Sequence, residues 1–287
     1  MTAAADLAME HGAIRDPAWL VVLRYAVAIV LCLFALVPLY WIVATSLKPT
    51  SMIQDWPPSW IPSIVSFENY ATAFADLPIA RFYLNSAIIA LAMVASNVVL
   101  CSIAGYTFAR KNFRGKNVLF LLIVGSMMVP AAARLIPDYV VTMQLGMLNS
   151  YQGIVLPTAV TGFGIFMMRQ FFMSLPREIE DAARIDGCSD WGVLFRVVIP
   201  MSRSAITSLA LFAMAWSIED VLWPLVVISD AQMRPLQVGI TQYLTGEYIS
   251  WGPLTAVTVL SILPFALVFL LLQRYFIRGL TAGAVKG

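Results

Sequence analysis

The chain has 287 residues, of which 60% are hydrophobic and only 12% are charged, with a formal net charge of +2. Soluble domains carry roughly 25% charged residues, so a soluble surface is excluded, and so much apolar surface also excludes intrinsic disorder. The near-neutral charge gives no support for nucleic-acid binding. The composition therefore predicts an all-α integral membrane protein in contact with lipid.

Six apolar segments are long enough to cross a bilayer core, which needs about 20 helical residues. In chain order they are Trp19–Leu47, Leu84–Phe108, Val118–Ile136, Gly153–Met173, Ala205–Ser229 and Pro253–Ile277. The first segment is too long for a cleaved signal peptide and is not followed by a small-residue cleavage pattern. These spans predict a six-helix transmembrane domain over residues 19–278, between an N-terminal tail (1–18) and a C-terminal tail (279–287).

The basic residues predict the orientation of these spans. With the N-terminus in the cytoplasm, only four of the 18 Lys and Arg residues lie outside, namely Lys48, Arg81, Arg134 and Arg234. The other 14 lie inside, which is the distribution that the positive-inside rule expects. Both termini are therefore predicted to be cytoplasmic.

No catalytic or metal-binding constellation is evident. The only histidine is His11, and Cys32, Cys101 and Cys188 are widely spaced without a CxxC motif. The basic segment 114–117 lacks the first glycine and the hydroxyl residue of a phosphate-binding P-loop. We therefore predict a non-enzymatic chain that holds no cofactor or metal and does not itself hydrolyse ATP.

The long polar loop after the fourth span, residues 174–200, has the signals of a helical hairpin. Pro176 can open a first helix, and the acidic residues Glu178, Glu180 and Asp181 favour its N-terminus electrostatically. Gly187 suits a left-handed C-terminal cap. The pattern predicts a helix that ends close to residue 186.

A second helix is expected directly after this turn. Ser189 is a good N-cap, and Pro200 is expected to end the helix. One apolar stripe is predicted at helical spacing, formed by Trp191, Leu194, Phe195 and Val198. Two interpretations remain open from the residues alone: a hairpin that packs on its own chain, or a docking element for a cytoplasmic partner.

The segment 180–187, followed thirteen residues later by Pro200, closely resembles the EAA signature of ABC importer permeases. Residues 36–42, 46–49 and 166–176 are similar to other parts of such permeases, and the tail 273–287 resembles the second permease subunit of maltose-type carbohydrate importers. The chain departs from the family pattern at three positions, with Asp181 for Glu, Cys188 for Ala and Ser204 for Pro.

This resemblance implies a type I ABC importer permease fold in a bacterial or archaeal cell membrane, and an ATP-driven, binding-protein-dependent carbohydrate importer. The implied partners are a homologous second permease, two ATP-binding subunits that hold ATP and Mg²⁺, and an extracytoplasmic solute-binding protein. The alternative is an ion-coupled secondary transporter or channel, which would have no need of the 174–200 loop.

The resemblance also implies which residues meet the ATPase. Those in the loop are Glu180, Asp181, Ala182, Ala183, Arg184, Asp186, Gly187 and Trp191. In the C-terminal tail, Thr281, Gly283 and Lys286 would reach the interface between the two ATPase subunits.

Charged residues inside or at the ends of the spans are candidates for a translocation path. Glu219 and Asp220 lie within the fifth span, where carboxylates are costly and usually face a polar interior. They would line the path or form a structural hydrogen-bonding pair near a helix break before Pro224. Arg134 and Asp138 lie four residues apart at the outer end of the third span, where they would contact substrate or pair with each other.

Overall fold

The computed structural model describes residues 17–244 and 249–284, and the side chains within those ranges except at positions 265 and 272–284. The described part is helical and contains no β-strand. In chain order its helices are α1 (Ala18–Ser46), α2 (Glu68–Asp76), α3 (Ile79–Arg110), α4 (Lys116–Ser126), α5 (Ala131–Gln144), α6 (Tyr151–Thr158), α7 (Gly162–Ser174), α8 (Arg177–Ile185), α9 (Asp190–Met201), α10 (Arg203–Glu219), α11 (Leu222–Val227), α12 (Leu236–Ile240) and α13 (Trp251–Ala284).

Three helices, α1, α3 and α13, are each long and apolar enough to cross a membrane. They correspond to the first, second and sixth predicted spans, although α3 begins earlier, at Ile79, and α13 continues past Ile277 to Ala284. Three further helix pairs have the required length and apolarity only if each bent pair counts as one span. The described residues therefore hold between three and six spans.

The third predicted span is not one straight helix. Its two parts, α4 and α5, meet at an angle of 106°. Pro130 directly precedes α5 in an extended conformation, with φ −57° and ψ 140°. Because proline has no N–H, it cannot continue the hydrogen bonding of α4. The fourth span is also bent, by 46° between α6 and α7.

The fifth predicted span also breaks, because its first helix, α10, ends at Glu219 instead of continuing to Ser229. In an unbroken helix the N–H of residue 224 would bond to the carbonyl of Asp220, but residue 224 is a proline. The backbone at Asp220 is accordingly extended, with ψ 109°, and the chain resumes as α11.

Helix α3 lies at the centre of the fold and packs closely on α7 and α10. Small residues allow this approach, since a Cβ added to Gly105 would lie 2.8 Å from Met168 Cβ, and one added to Gly164 would lie 2.7 Å from Cys101 Sγ. Cys101 and Met168 are themselves buried in the largest core cluster. The central helix is thus closely packed against α7 at these positions.

Candidate functional site: a hairpin and a cavity

The loop after α7 folds into the predicted helical hairpin, formed by α8 and α9. Helix α8 begins directly after Pro176, and Gly187 follows it with φ +87°, as expected for a left-handed cap. The Ser189 hydroxyl accepts a hydrogen bond from the Gly192 N–H at 3.2 Å and so caps α9. These predictions are confirmed.

The predicted single apolar stripe of α9 is wrong. Leu194 and Val198 are buried, but Trp191 and Phe195 face outward with their rings stacked, their centroids 5.9 Å apart. The cause is a π-helical stretch over Val193–Val198, which changes the angular spacing of the side chains. Pro200 does not end the helix either, since the 82° bend into α10 follows Met201.

Glu180 lies inside the protein, with only 4% of its side chain exposed. Arg110 at the end of α3 donates its Nε–H to Glu180 Oε1 at 2.6 Å, and the Tyr106 hydroxyl donates to Oε2 at 3.0 Å. The carboxylate therefore holds α8 against α3. This burial differs from the expectation that Glu180 meets a partner chain directly.

Lys111, the residue that follows Arg110, holds the other arm of the hairpin. Lys111 Nζ lies 2.6 Å from Asp190 Oδ2 at the start of α9, and both side chains are partly exposed. This hydrogen bond and the positive charge of Lys111 lower the pKa of the Asp190 carboxyl below its ordinary value. The consecutive residues Arg110 and Lys111 thus clamp both arms of the hairpin to α3.

Sequence reasoning used these two cations only to orient the spans. Arg110 and Glu180 are 70 residues apart, and no spacing rule connects them. The acidic residues at the start of both hairpin helices are the only sequence signal of a basic partner.

The other predicted hairpin residues lie mostly on its exposed side. Asp181 is exposed and accepts a hydrogen bond from Arg184 Nη1 at 2.8 Å. Ala182, Asp186 and Gly187 are exposed, whereas Ala183 is half-buried against the core. Large apolar side chains also face outward, and Ile185 (87% exposed) and Trp191 (59%) are the most accessible of them. Sequence reasoning did not single out Ile185.

A cavity of about 670 Å³ lies where the broken helices meet. Its wall includes residues at the breaks within the third, fourth and fifth predicted spans: Ser126 and Ala131 between α4 and α5, Thr158 and Gly162 between α6 and α7, and Glu219 and Asp220 between α10 and α11. Arg134 and Asp138 of α5 also line it. The three residues predicted for a translocation path, Arg134, Glu219 and Asp220, therefore lie around one cavity although they come from separate spans.

The charged residues of this cavity differ in how they are held. Asp220 Oδ1 accepts a hydrogen bond from the Trp223 N–H at 3.2 Å, so this carboxylate caps α11 while it lines the cavity. Arg134 and Glu219 are exposed to the cavity. The ion pair expected between Arg134 and Asp138 is absent, although the structure describes both side chains. Pro137 interrupts the regular hydrogen bonding of the helix between them.

The buried amide of Asn97 joins α3 to the cavity wall. Its Nδ2 donates to the Thr158 carbonyl at 2.9 Å, and its Oδ1 accepts from the Thr161 hydroxyl at 3.0 Å. Thr161 in turn caps α7. Asn97 and Arg110 are thirteen residues apart on α3, which corresponds to about 20 Å along the helix. One rigid helix therefore connects the cavity to the clamp on the hairpin.

The predicted tail contacts are only partly described. Thr281 and Gly283 belong to α13, of which the structure gives the backbone here, and Lys286 lies outside the described residues.

Comparisons with known proteins place these features in context. Residues 97–282 match the family model "Binding-protein-dependent transport system inner membrane component". The chain is 33% identical over 260 residues to the arabinooligosaccharides transport system permease protein AraQ of Bacillus subtilis (strain 168), covering 90% of this chain and 92% of that protein.

Two further similarities are close to full length. The sulfoquinovosyl glycerol transport system permease protein SmoH of Agrobacterium fabrum is 33% identical, with 92% of this chain and 94% of that protein covered. A solved structure titled as a bacterial ABC transporter involved in the import of the acidic polysaccharide alginate matches with a TM-score of 0.80 at 24% identity. That match covers 91% of this chain and 98% of the other, and it confirms the predicted permease fold.

Proposed function

We infer the role of this chain from the family to which it belongs, the inner membrane components of binding-protein-dependent transport systems. Membership confirms the prediction of a membrane-embedded, non-catalytic permease subunit. We propose that the transported solute is a sugar or oligosaccharide and that the membrane is a bacterial cell membrane. The names of the relatives support this, since they include permeases for arabinooligosaccharides and lactose.

The observation that carries the proposal is the single helix α3, which connects the exposed hairpin to the cavity. The hairpin faces the cytoplasm and binds an ATP-binding subunit, which is one of two such subunits that hold ATP and Mg²⁺. An exposed tryptophan such as Trp191 is typical of binding hot spots, and the exposed Ile185 adds apolar surface to the hairpin. A polar hairpin surface with such anchors supports a docking role better than packing on its own chain.

The Arg110–Glu180 pair transmits the movement of the hairpin. Closure of the two ATPase subunits displaces α8, and the buried ion pair forces the end of α3 to follow. Because α3 also carries Asn97, the displacement reaches the walls formed by the helix breaks. The burial of this ion pair is essential for transmission, because an exposed ion pair contributes only about 0–1 kcal/mol to stability.

The cavity forms half of the translocation path, and a homologous second permease completes it. Its carboxylates, Glu219 and Asp220, can accept hydrogen bonds from the hydroxyl groups that all sugars share, so they would not select among sugars, and Trp216 and Phe163 offer apolar faces on the same wall. A solute-binding protein on the outer side delivers the solute. The ion-coupled alternative explains the carboxylates but leaves the hairpin without a role.

Co-purification tests the docking. In mild detergent an ATP-binding subunit is expected to accompany the intact chain. Asp181→Lys replaces an exposed acidic group on the hairpin, and Trp191→Ala removes an exposed anchor, so both should reduce recovery of that subunit and abolish uptake while membrane insertion stays normal. Trp56→Ala is the matched control, because Trp56 is also an exposed tryptophan but lies far from the hairpin in sequence. Full recovery and uptake with both hairpin variants would contradict the proposal.

The C-terminal tail is a second proposed contact with the ATPase. Small residues from Gly279 onward would let the chain enter the cleft between the two ATPase subunits, where Thr281, Gly283 and Lys286 would sense its opening. Deletion of residues 280–287 should leave assembly intact but impair or uncouple ATP hydrolysis in reconstituted vesicles. Stimulation by loaded binding protein at the level of the intact chain would show that the tail is dispensable.

A further inference from the structure

A second cavity, of about 480 Å³, lies at the opposite end of α4 from the helix breaks. Its wall is formed by the loop before α4, the first turn of α4 and one residue of α7. The residues that matter for its chemistry are Asn112, Lys116, Asn117, Val118 and Arg169. None of them lines the cavity at the helix breaks, so the two sites are separate.

Two cations of this cavity are held by uncharged groups only. Lys116 Nζ donates to the Lys111 carbonyl at 2.8 Å, and Arg169 Nε donates to the Phe108 carbonyl at 3.3 Å. The Arg169 guanidinium also lies over the Phe120 ring, 4.1 Å from its centroid. Within the described part of the chain neither cation forms an ion pair with a carboxylate.

Like charges accumulate here instead of being neutralised. Arg169 and Arg177 both act on Lys116 by Coulomb repulsion. Helix α4 begins at this cavity without a side-chain cap, so its first N–H groups add to the positive potential. Such a recess favours an anionic group with several acceptor oxygens, as a phosphate has.

The surface that leads away from the cavity is apolar. Val118 lines the cavity and is exposed, and Leu121 and Leu122 follow it on α4 as the most exposed large apolar side chains of that helix. A soluble phosphate would gain nothing from these side chains. A phospholipid would use both parts, with its phosphate in the basic recess and an acyl chain along α4.

We propose that this cavity, the headgroup cavity, binds an anionic phospholipid of the cytoplasmic leaflet. The leaflet assignment rests on the proposed function, because it requires the orientation in which the hairpin faces the cytoplasm. Basic pockets between membrane helices on the cytoplasmic side are suited to anionic headgroups. A bound lipid would bridge α4 and α7, whose other ends both line the cavity at the helix breaks.

Native mass spectrometry of the purified full-length chain tests the site, with dioleoylphosphatidylglycerol and dioleoylphosphatidylcholine as probes. The anionic lipid is expected to bind with roughly 25-fold preference, since Lys116 and Arg169 each contribute about a fivefold factor. Lys116→Gln should remove about fivefold of that preference. Arg196→Gln is the matched control, because Arg196 is an exposed cation of α9 that does not line the cavity.

Variants of Arg169 separate charge from folding. Arg169→Gln removes the charge together with packing on Phe120, whereas Arg169→Lys keeps the charge and should keep the lipid preference. Equal losses in Lys116→Gln and Arg196→Gln would overturn the proposal, because they would indicate non-specific attraction. Displacement of the lipid by millimolar inorganic phosphate alone would assign the site to free phosphate and overturn the lipid assignment.

The assembled transporter provides the last test. If the isolated chain binds the anionic lipid but the complex with its co-purified partners does not, the cavity is covered by another subunit and the lipid proposal is wrong. Because lipid binding needs neither solute nor ATP, failure here leaves the permease assignment intact. If instead the chain binds the lipid but no ATP-binding subunit co-purifies, only the proposed function and the leaflet assignment would be wrong.

Discussion

The hairpin and the cavity at the helix breaks both contain several charged residues, but they use them in opposite ways. In the hairpin the charges pair with each other or with α3, as in Glu180–Arg110 and Asp190–Lys111. In the cavity, Arg134 and Glu219 line an open space without an ion pair among the described residues. The ion pairs hold the hairpin in a fixed position against α3. The lack of ion pairs leaves Arg134 and Glu219 available to bind a passing solute.

The largest expected effect comes from a charge reversal that breaks the buried clamp. Glu180→Arg would place two guanidinium groups together in a buried site, and loss of a buried pair costs about 3–5 kcal/mol. Thermal unfolding and trypsin cleavage of residues 177–201 measure the effect. The exposed pair provides the control, because Asp190→Arg opposite Lys111 replaces a solvent-screened contact and should change stability much less. Equal destabilisation by the two reversals would contradict the distinction between buried and exposed clamps.

The hairpin was the more predictable region, because its determinants are local. Pro176, Gly187 and Ser189 act within one turn of their own positions, and a single sequence contains that information. Burial of Glu180 depends on Arg110, which is remote in sequence. The π-helical stretch over Val193–Val198, which places Trp191 and Leu194 on different sides of α9, left no recognisable sequence signal.

The cavity was predictable only in part. The cost of carboxylates in a membrane identified Glu219 and Asp220, and a helix break was expected before Pro224, whereas the break at Pro130 was not predicted. Neither signal gives the 106° angle between α4 and α5 or the convergence of three breaks on one cavity. Those features depend on packing around α3, including the close approach at Gly105.

A smaller effect is expected from overpacking α3. Gly105→Ala would put a Cβ 2.8 Å from Met168 Cβ and 2.9 Å from the Arg169 backbone nitrogen, which should cost about 1–3 kcal/mol of stability. Gly125→Ala is the matched control, because a Cβ there meets nothing within 4 Å and a helical alanine is favoured. Detergent melting curves should separate the two variants. A neutral Gly105→Ala would show that α3 is not held tightly.

The smallest effect on stability is expected in the cavity. Glu219→Gln with Asp220→Asn removes two carboxylates but keeps a cap for α11, since Asn is also a good N-cap. Stability should stay constant or rise, while uptake should fall by roughly tenfold, equivalent to about 1.4 kcal/mol. The fall should be proportional for all transported solutes. Full uptake with an altered solute preference would contradict a role for these groups in the transport cycle.

Movement of the hairpin should reach the cavity through the buried clamp. The most direct test places a cysteine in the cavity (Glu219→Cys) of the assembled transporter after replacement of Cys32, Cys101 and Cys188 by serine. Labelling by a membrane-impermeant maleimide from the outer side is measured with and without ATP and vanadate. We expect nucleotide to increase labelling, and we expect the additional Glu180→Gln substitution to abolish the increase while nucleotide binding persists. An unchanged rate with nucleotide, or an undiminished increase in the Glu180→Gln variant, would contradict this expectation.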